Sequence, residues 1–154
     1  MPTHAEKRVM PYSPQQMYDL IADIRKYPEF LPWCSACRIR STRPLSEGEG
    51  SVIDADMVIS FKVFREKFGS RVTLRPENST IDVEYLDGPF RYLNNHWKFL
   101  PAEGGGCEVD FFVDFEFKSA ILQKIIGVVF GEAMQRIVRA FEQRAEKLYG
   151  ASTS

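Results

Sequence analysis

The sequence has few cysteines and histidines and no long apolar run. Its three cysteines, an odd number, do not make a disulfide framework and suit a reducing compartment. No apolar stretch reaches the ~18–20 residues that a membrane-spanning helix needs, and residues 1–9 lack the apolar core of a signal peptide. Twenty Lys and Arg against 21 Asp and Glu leave a net charge of −1, which gives no reason to expect DNA binding. We predict one cytoplasmic domain over residues 1–154, with about residues 3–150 ordered.

Local motifs predict helices near both ends of the chain. A short strand at residues 3–10 leads to residues 13–16, Ser-Pro-Gln-Gln. This segment combines a capping Ser, a Pro at the first helical position and the Gln of a capping box, so a helix begins there. Prolines limit residues 26–33 to a second, short helix or loop. A long helix is predicted from Ser119 to Tyr149.

The middle of the chain has the periodicity of a sheet. Between residues 34 and 117 apolar and polar residues alternate in six runs, which predicts antiparallel strands with one apolar face. With the strand at residues 3–10, the expected fold is α+β: a curved antiparallel sheet of about seven strands, two short helices after strand 1 and a long C-terminal helix across the sheet. This pattern resembles the helix-grip architecture, and the resemblance implies an apolar cavity between helix and sheet.

Reactive side chains form no convincing catalytic or metal-binding motif. Cys34 and Cys37 make a C-x-x-C, but it follows a proline-rich turn and leads into a strand instead of opening a helix. A zinc site would need two further ligands from Cys107, His4 and His96. By alternation, His96 points away from the apolar face. We interpret the cysteine pair as incidental and expect neither catalysis nor a bound metal.

The long helix changes character along its length. Its predicted sheet-facing stripe consists of Ile126, Phe130, Ala133, Ile137, Phe141 and Leu148. The opposite face is charged in the later turns, but its first turns carry Ile121, Ile125 and Val128, with Lys118 and Lys124 beside them. Either loop segments cover this apolar end, or it contacts lipid or a partner.

Several motifs together resemble the coenzyme Q-binding protein family, within the START-like, polyketide cyclase/dehydrase-like superfamily. The resemblance covers about residues 3–150. Its most specific parts are Tyr27–Cys34, which reads YPEFLPWC, and Asn95–Phe99, which reads NHWKF. Weaker matches are Phe68–Leu74, Asp87–Leu93 and Phe115–Phe117. Cys37 is not part of the pattern.

The resemblance implies a lipid carrier, not an enzyme. Such a protein binds ubiquinone as a ligand, uses no cofactor and supports respiratory electron transfer. The apolar start of the long helix, with its lysines, suits transient contact with the inner face of the cytoplasmic membrane. A related bacterial protein is described as a ribosome-association toxin that binds the large ribosomal subunit, and this stays open as an alternative. A cyclase or hydrolase using the same cavity is a further alternative, since a fold does not fix function.

The same resemblance gives an expected ligand site, although core packing is the ordinary alternative for each apolar member. The expected cavity wall consists of Phe61, Phe68, Val72, Leu93, Trp97, Phe99, Phe111, Phe115, Ile126, Phe130 and Ile137. The expected rim consists of Tyr27, Phe30, Trp33, Phe90, Arg91 and Tyr92. The expected contact with a membrane or partner consists of Lys118, Ile121, Lys124, Ile125 and Val128.

Overall fold

A computed structural model describes residues 3–44, 50–61 and 64–150, with the backbone alone at positions 61 and 64. It contains seven strands, two α-helical segments near the N-terminus with a 3₁₀ turn between them, and a long C-terminal helix. In chain order the elements are β1 (Thr3–Met10), α1 (Pro14–Ala22), a 3₁₀ turn (Ile24–Lys26), α2 (Tyr27–Phe30), β2 (Cys34–Pro44), β3 (Ser51–Phe61), β4 (Phe64–Arg75), β5 (Thr80–Asp87), β6 (Phe90–Pro101), β7 (Cys107–Phe117) and α3 (Ala120–Tyr149).

The strands form one antiparallel sheet in the order β1-β7-β6-β5-β4-β3-β2. Register shifts interrupt β2 twice and also occur at Gly69 in β4 and between Phe90 and Tyr92 in β6. Such irregularities bend strands and increase their twist, which is how a sheet of this kind becomes curved. The predicted α+β helix-grip fold is confirmed.

The capping motif after β1 is present as the sequence predicts. The Ser13 hydroxyl accepts a hydrogen bond from the Gln16 backbone N–H (3.1 Å), and the Gln16 side chain accepts one from the Ser13 backbone N–H (3.0 Å). These two bonds satisfy donors that the first helical turn leaves without partners. They fix the start of α1, whose buried residues Met17 and Ile21 then face the sheet.

A first core lies between α1, the sheet and the C-terminal half of α3. Its most deeply buried side chains are Met17, Ile21, Ile81, Phe99 and Cys107. Phe141 of α3 belongs to this core, and its ring centroid lies 5.5–5.7 Å from those of Tyr27, Phe30 and Trp97. These contacts anchor the second half of α3 on the sheet.

Two tyrosine hydroxyls fix the end of α3. The Tyr149 O–H donates to the Gln16 carbonyl (2.8 Å), and the Tyr12 O–H donates to the Gly150 carbonyl (3.0 Å). The expectation that Leu148 faces the sheet is wrong, because Leu148 is half exposed. The inward stripe follows a four-residue spacing here, from Phe141 through Ala145 to Tyr149, and Leu148 is rotated away from it.

The packing of Phe99 predicts a large effect of truncation. Phe99 is 1% exposed and contacts Tyr18 and Trp97, so Phe99→Ala removes a full ring and leaves a cavity. We expect the free energy of unfolding to fall by about 3–5 kcal/mol in urea denaturation. Phe112→Ala is the matched control, since Phe112 stacks on the exposed His96 outside the core, and it should cost clearly less. Equal losses in the two variants would contradict the position of this core.

Candidate functional site: an apolar cavity under the long helix

A cavity of about 230 Å³ lies between the N-terminal half of α3 and the sheet, and is partly open to solvent. Its lining comes from β3, β4, β6, β7, α3 and the segment before β2. The lining residues are Trp33, Ile59, Glu66, Phe68, Phe90, Leu93, Val113, Phe115, Phe117, Leu122, Ile125, Ile126, Val129, Ala133, Met134 and Ile137. All but Glu66 are apolar or aromatic, so the interior suits a hydrocarbon ligand.

Aromatic packing holds the wall of the cavity in place. Phe90 stacks on Phe117, with ring centroids 4.7 Å apart, and meets Phe68 and Phe115 edge-on at 5.4 and 5.7 Å. The Tyr85 hydroxyl accepts a hydrogen bond from the Phe90 backbone N–H (3.0 Å). These rings form a second apolar cluster beside the first core. The cavity therefore has an aromatic floor of mutually packed rings.

Five of the eleven expected wall residues line this cavity: Phe68, Leu93, Phe115, Ile126 and Ile137. Phe130 packs against the same aromatic cluster, with its ring 5.7 Å from Phe115, but is not part of the lining. Phe61 ends β3, and its side chain lies outside the described part of the structure.

Four expected wall residues belong elsewhere. Val72 and Phe99 are 3% and 1% exposed and belong to the first core, together with the buried residues of α1. Trp97 and Phe111 pack on each other at 4.4 Å and border a separate pocket of about 40 Å³ next to α1. The Trp97 indole N–H also donates to Asn95 Oδ1 (3.0 Å). The alternation of apolar and polar residues predicts the face of the sheet on which Trp97 and Phe111 lie. It does not predict whether they lie beside α1 or beside the cavity.

Only two of the six residues expected at the rim line the cavity. Trp33 and Phe90 line the cavity, Trp33 with a backbone φ of 65°, in the left-handed region that a bulky residue seldom adopts. Tyr27 and Phe30 instead pack on Phe141 in the first core. The Tyr27 hydroxyl donates to the Ile21 carbonyl, and burial raises the pKa of this phenol. Tyr27 therefore belongs to the first core and does not line the cavity.

The remaining two rim residues, Arg91 and Tyr92, do not line the cavity. Arg91 is exposed and forms an ion pair with Glu116 (3.5 Å). Tyr92 is half-buried on the next position of β6. The register shift between Phe90 and Tyr92 turns this part of β6, and simple alternation does not predict which side each residue takes.

The first turns of α3 combine a lining face with an exposed apolar face. Ile121 and Val128 are 67% and 81% exposed, and Lys118 and Lys124 beside them are exposed as well. The expectation that Ile125 belongs to this outer face is wrong, because Ile125 lines the cavity. The inward-facing arc of the helix is wide here, because Leu122, Ile125, Ile126 and Val129 all line the cavity. No helix in the described ranges is long and apolar enough to cross a membrane.

The cysteines and His96 form no reactive site. Cys34 and Cys37 are free thiols, and burial raises the pKa of both, that of Cys34 to about 11. A raised pKa leaves less of a thiol ionised near neutral pH and makes it a weaker nucleophile and ligand. His96 lies on the outer face and bonds the Asp82 carboxylate through Nδ1 (2.8 Å). In the part of the chain that the structure covers, no three His, Cys, Asp or Glu side chains come together as a metal site.

Sequence reasoning missed one charged lining residue, Glu66. It stands in β4 between Phe64 and Phe68, so alternation places it on the apolar face of the strand. A single acid in an otherwise apolar face was the signal that would have identified it. Other residues that line the cavity were not expected there, among them Leu122, Val129 and Met134. All three lie on α3, which turns more of its circumference toward the cavity than the predicted stripe includes.

Comparison with known proteins places the chain among START-like relatives. The family model described as polyketide cyclase / dehydrase and lipid transport matches residues 10–142. The ribosome association toxin RatA of Rickettsia prowazekii is 40% identical, over 92% of this chain and 94% of its own length. The mitochondrial coenzyme Q-binding protein COQ10 homolog B of Xenopus laevis is 32% identical, over 96% of this chain and 59% of its own length.

A solved structure shares both the fold and the sequence. The solution structure of an 18 kDa protein from Caulobacter crescentus has a TM-score of 0.80 and 38% identity, and the match covers 98% of this chain and all of that one. The agreement extends over the sheet and the long helix alike.

Proposed function

This chain belongs to the polyketide cyclase/dehydrase and lipid transport family, and we propose that it is a non-catalytic carrier of an isoprenoid quinone, with ubiquinone as its ligand. The observation that carries the proposal is the lining of the cavity, which is apolar except for Glu66. The similarity to a relative named for coenzyme Q binding supports the choice of ligand.

The size of the cavity fits part of such a molecule. At about 230 Å³ it is smaller than the roughly 300–1,000 Å³ of pockets that enclose a drug-sized ligand. We infer that it holds the first isoprene units of the tail, while the quinone ring lies at the mouth. Each buried CH₂ contributes about 0.8 kcal/mol, so two isoprene units contribute several kcal/mol.

The same lining supports binding over catalysis. General acid–base chemistry needs at least one positioned proton donor and acceptor near the reacting atoms, commonly a pair of titratable groups. Among the described lining residues, Glu66 is the only ionisable side chain. We therefore propose that the cyclase and dehydrase activities in the family's description do not extend to this chain.

A carrier has to collect its ligand from a bilayer, and the first turns of α3 fit that task. Ile121 and Val128 face solvent, while Leu122 and Ile125 of the same turns line the cavity. Exposed apolar side chains with lysines beside them suit shallow insertion at an anionic interface. We propose that this helix end makes transient contact with the inner face of the cytoplasmic membrane.

A second candidate function is ribosome association. The relative from Rickettsia prowazekii that bears this name is 40% identical along nearly its whole length, a higher identity than that of the coenzyme Q-binding relative. On this hypothesis the chain binds the large ribosomal subunit, and co-sedimentation with isolated subunits would detect it. Binding through basic side chains to RNA should weaken steeply as salt is raised.

Organic extraction tests the carrier directly. The full chain is purified from its native host without detergent, extracted and analysed by mass spectrometry. Because the cavity shields the tail from water, we expect ubiquinone at a substantial molar fraction of the protein. A mock purification supplies the background. Ubiquinone at the background level, together with salt-sensitive sedimentation with large subunits, would favour ribosome association over the carrier.

The double variant Ile121→Asp/Val128→Asp tests membrane contact. Both side chains are exposed, so we expect a melting temperature close to that of the wild type but much weaker flotation with phosphatidylcholine–phosphatidylglycerol vesicles. Val9→Asp/Leu148→Asp is the matched control, since these residues are also exposed but lie away from the cavity, and it should float normally. Unchanged flotation of the first variant, or its unfolding, would contradict the assignment.

A further inference from the structure

Glu66 is the charged side chain among the described residues that line the cavity. Along β4 the inward positions Phe68, Ser70 and Val72 are buried, and Glu66 continues the same alternation. It pairs in register with Ile59 of β3, which also lines the cavity. The neighbouring Arg65 and Lys67 are exposed on the other face. The Glu66 side chain therefore lies half-buried on the cavity side.

The carboxylate of Glu66 has no partner among the described residues. Within the described residues, no hydrogen bond or ion pair reaches it. Acidic residues on the outer face differ: Asp54 is bonded by Arg71 (2.9 Å), and Asp82 by Arg75 (2.7 Å). A half-buried acceptor beside an apolar surface is unfavourable unless a donor satisfies it. No donor among the described residues does so, and a ligand in the cavity can supply one.

We propose that Glu66 accepts a hydrogen bond from the ligand headgroup and so makes the site selective for the reduced, hydroquinone form. This rests on the proposed carrier function. A hydroquinone ring carries two phenolic O–H donors, whereas the oxidised ring presents only carbonyl and methoxy acceptors. An ionised carboxylate accepts but cannot donate. It therefore bonds the hydroquinone and repels the lone pairs of the quinone.

The arrangement also fixes the orientation of the ligand. The remaining lining offers no charged group, so the tail enters the cavity and the ring stays beside Glu66. Hydrogen bonds to a charged acceptor are stronger than those between neutral groups. The ring is thus held by one directional contact, and the tail by apolar burial.

Calorimetric titration of the full chain with ubiquinone-1 and with its reduced form, ubiquinol-1, tests the inference under anaerobic conditions. We expect the wild type to bind the reduced form about tenfold or more tightly. Glu66→Gln, whose neutral amide accepts more weakly, should lose most of this preference. Glu66→Met, which has no comparable acceptor, should abolish it and bind the oxidised form more tightly. Glu84→Gln makes the same change at an exposed position of β5 and should keep the preference.

The outcomes separate the two proposals. Failure of the wild type to bind either form would overturn the carrier function itself. Equal binding of both forms by the wild type, or an unchanged preference in Glu66→Gln, would overturn the role of Glu66 and leave the carrier standing. Thermal melts on each variant confirm folding before titration.

Discussion

The structure depends on the anchoring of one half of a long helix. Phe141 is buried among Tyr27, Phe30 and Trp97, and Arg144 adds an ion pair to Glu29 (3.0 Å) and lies over the Phe30 ring. These contacts hold the C-terminal half of α3 against the first core. The N-terminal half of α3 is not packed against the sheet in the same way, and a space of about 230 Å³ lies between them. This space is the apolar cavity.

The cavity and the exposed helix face have the same origin. The N-terminal turns of α3 cover a space instead of a packed core, so Leu122, Ile125 and Ile126 line that space. Ile121 and Val128 on the opposite side are left exposed. A helix end that is apolar on both sides is unfavourable in water, and in the proposed function it lies between the ligand site and a membrane surface. In the proposed function, membrane contact and ligand uptake use the same turns.

Periodicity predicted the fold well, because alternation and capping are local. The strands, the capping box at Ser13 and the long helix were all predictable, and so was the face on which Leu93 and Phe115 lie. The sequence could not show where packed core gives way to cavity, since Phe99 and Phe115 have the same pattern but only Phe115 lines the gap. That boundary depends on where α3 leaves the sheet. Tyr27 was expected at the rim of the cavity, but it packs on Phe141 in the first core. Its position also depends on where α3 contacts the sheet, which local patterns do not show.

Methyl-resolved NMR during a titration with ubiquinone-1 tests the central claim most directly. Ile126 and Ile137 line the cavity, whereas Ile81 is 2% exposed in the first core. The account predicts that the methyl resonances of Ile126 and Ile137 shift with the added quinone while that of Ile81 stays in place. Shifts confined to residues outside the cavity, or none at saturating quinone, would contradict it.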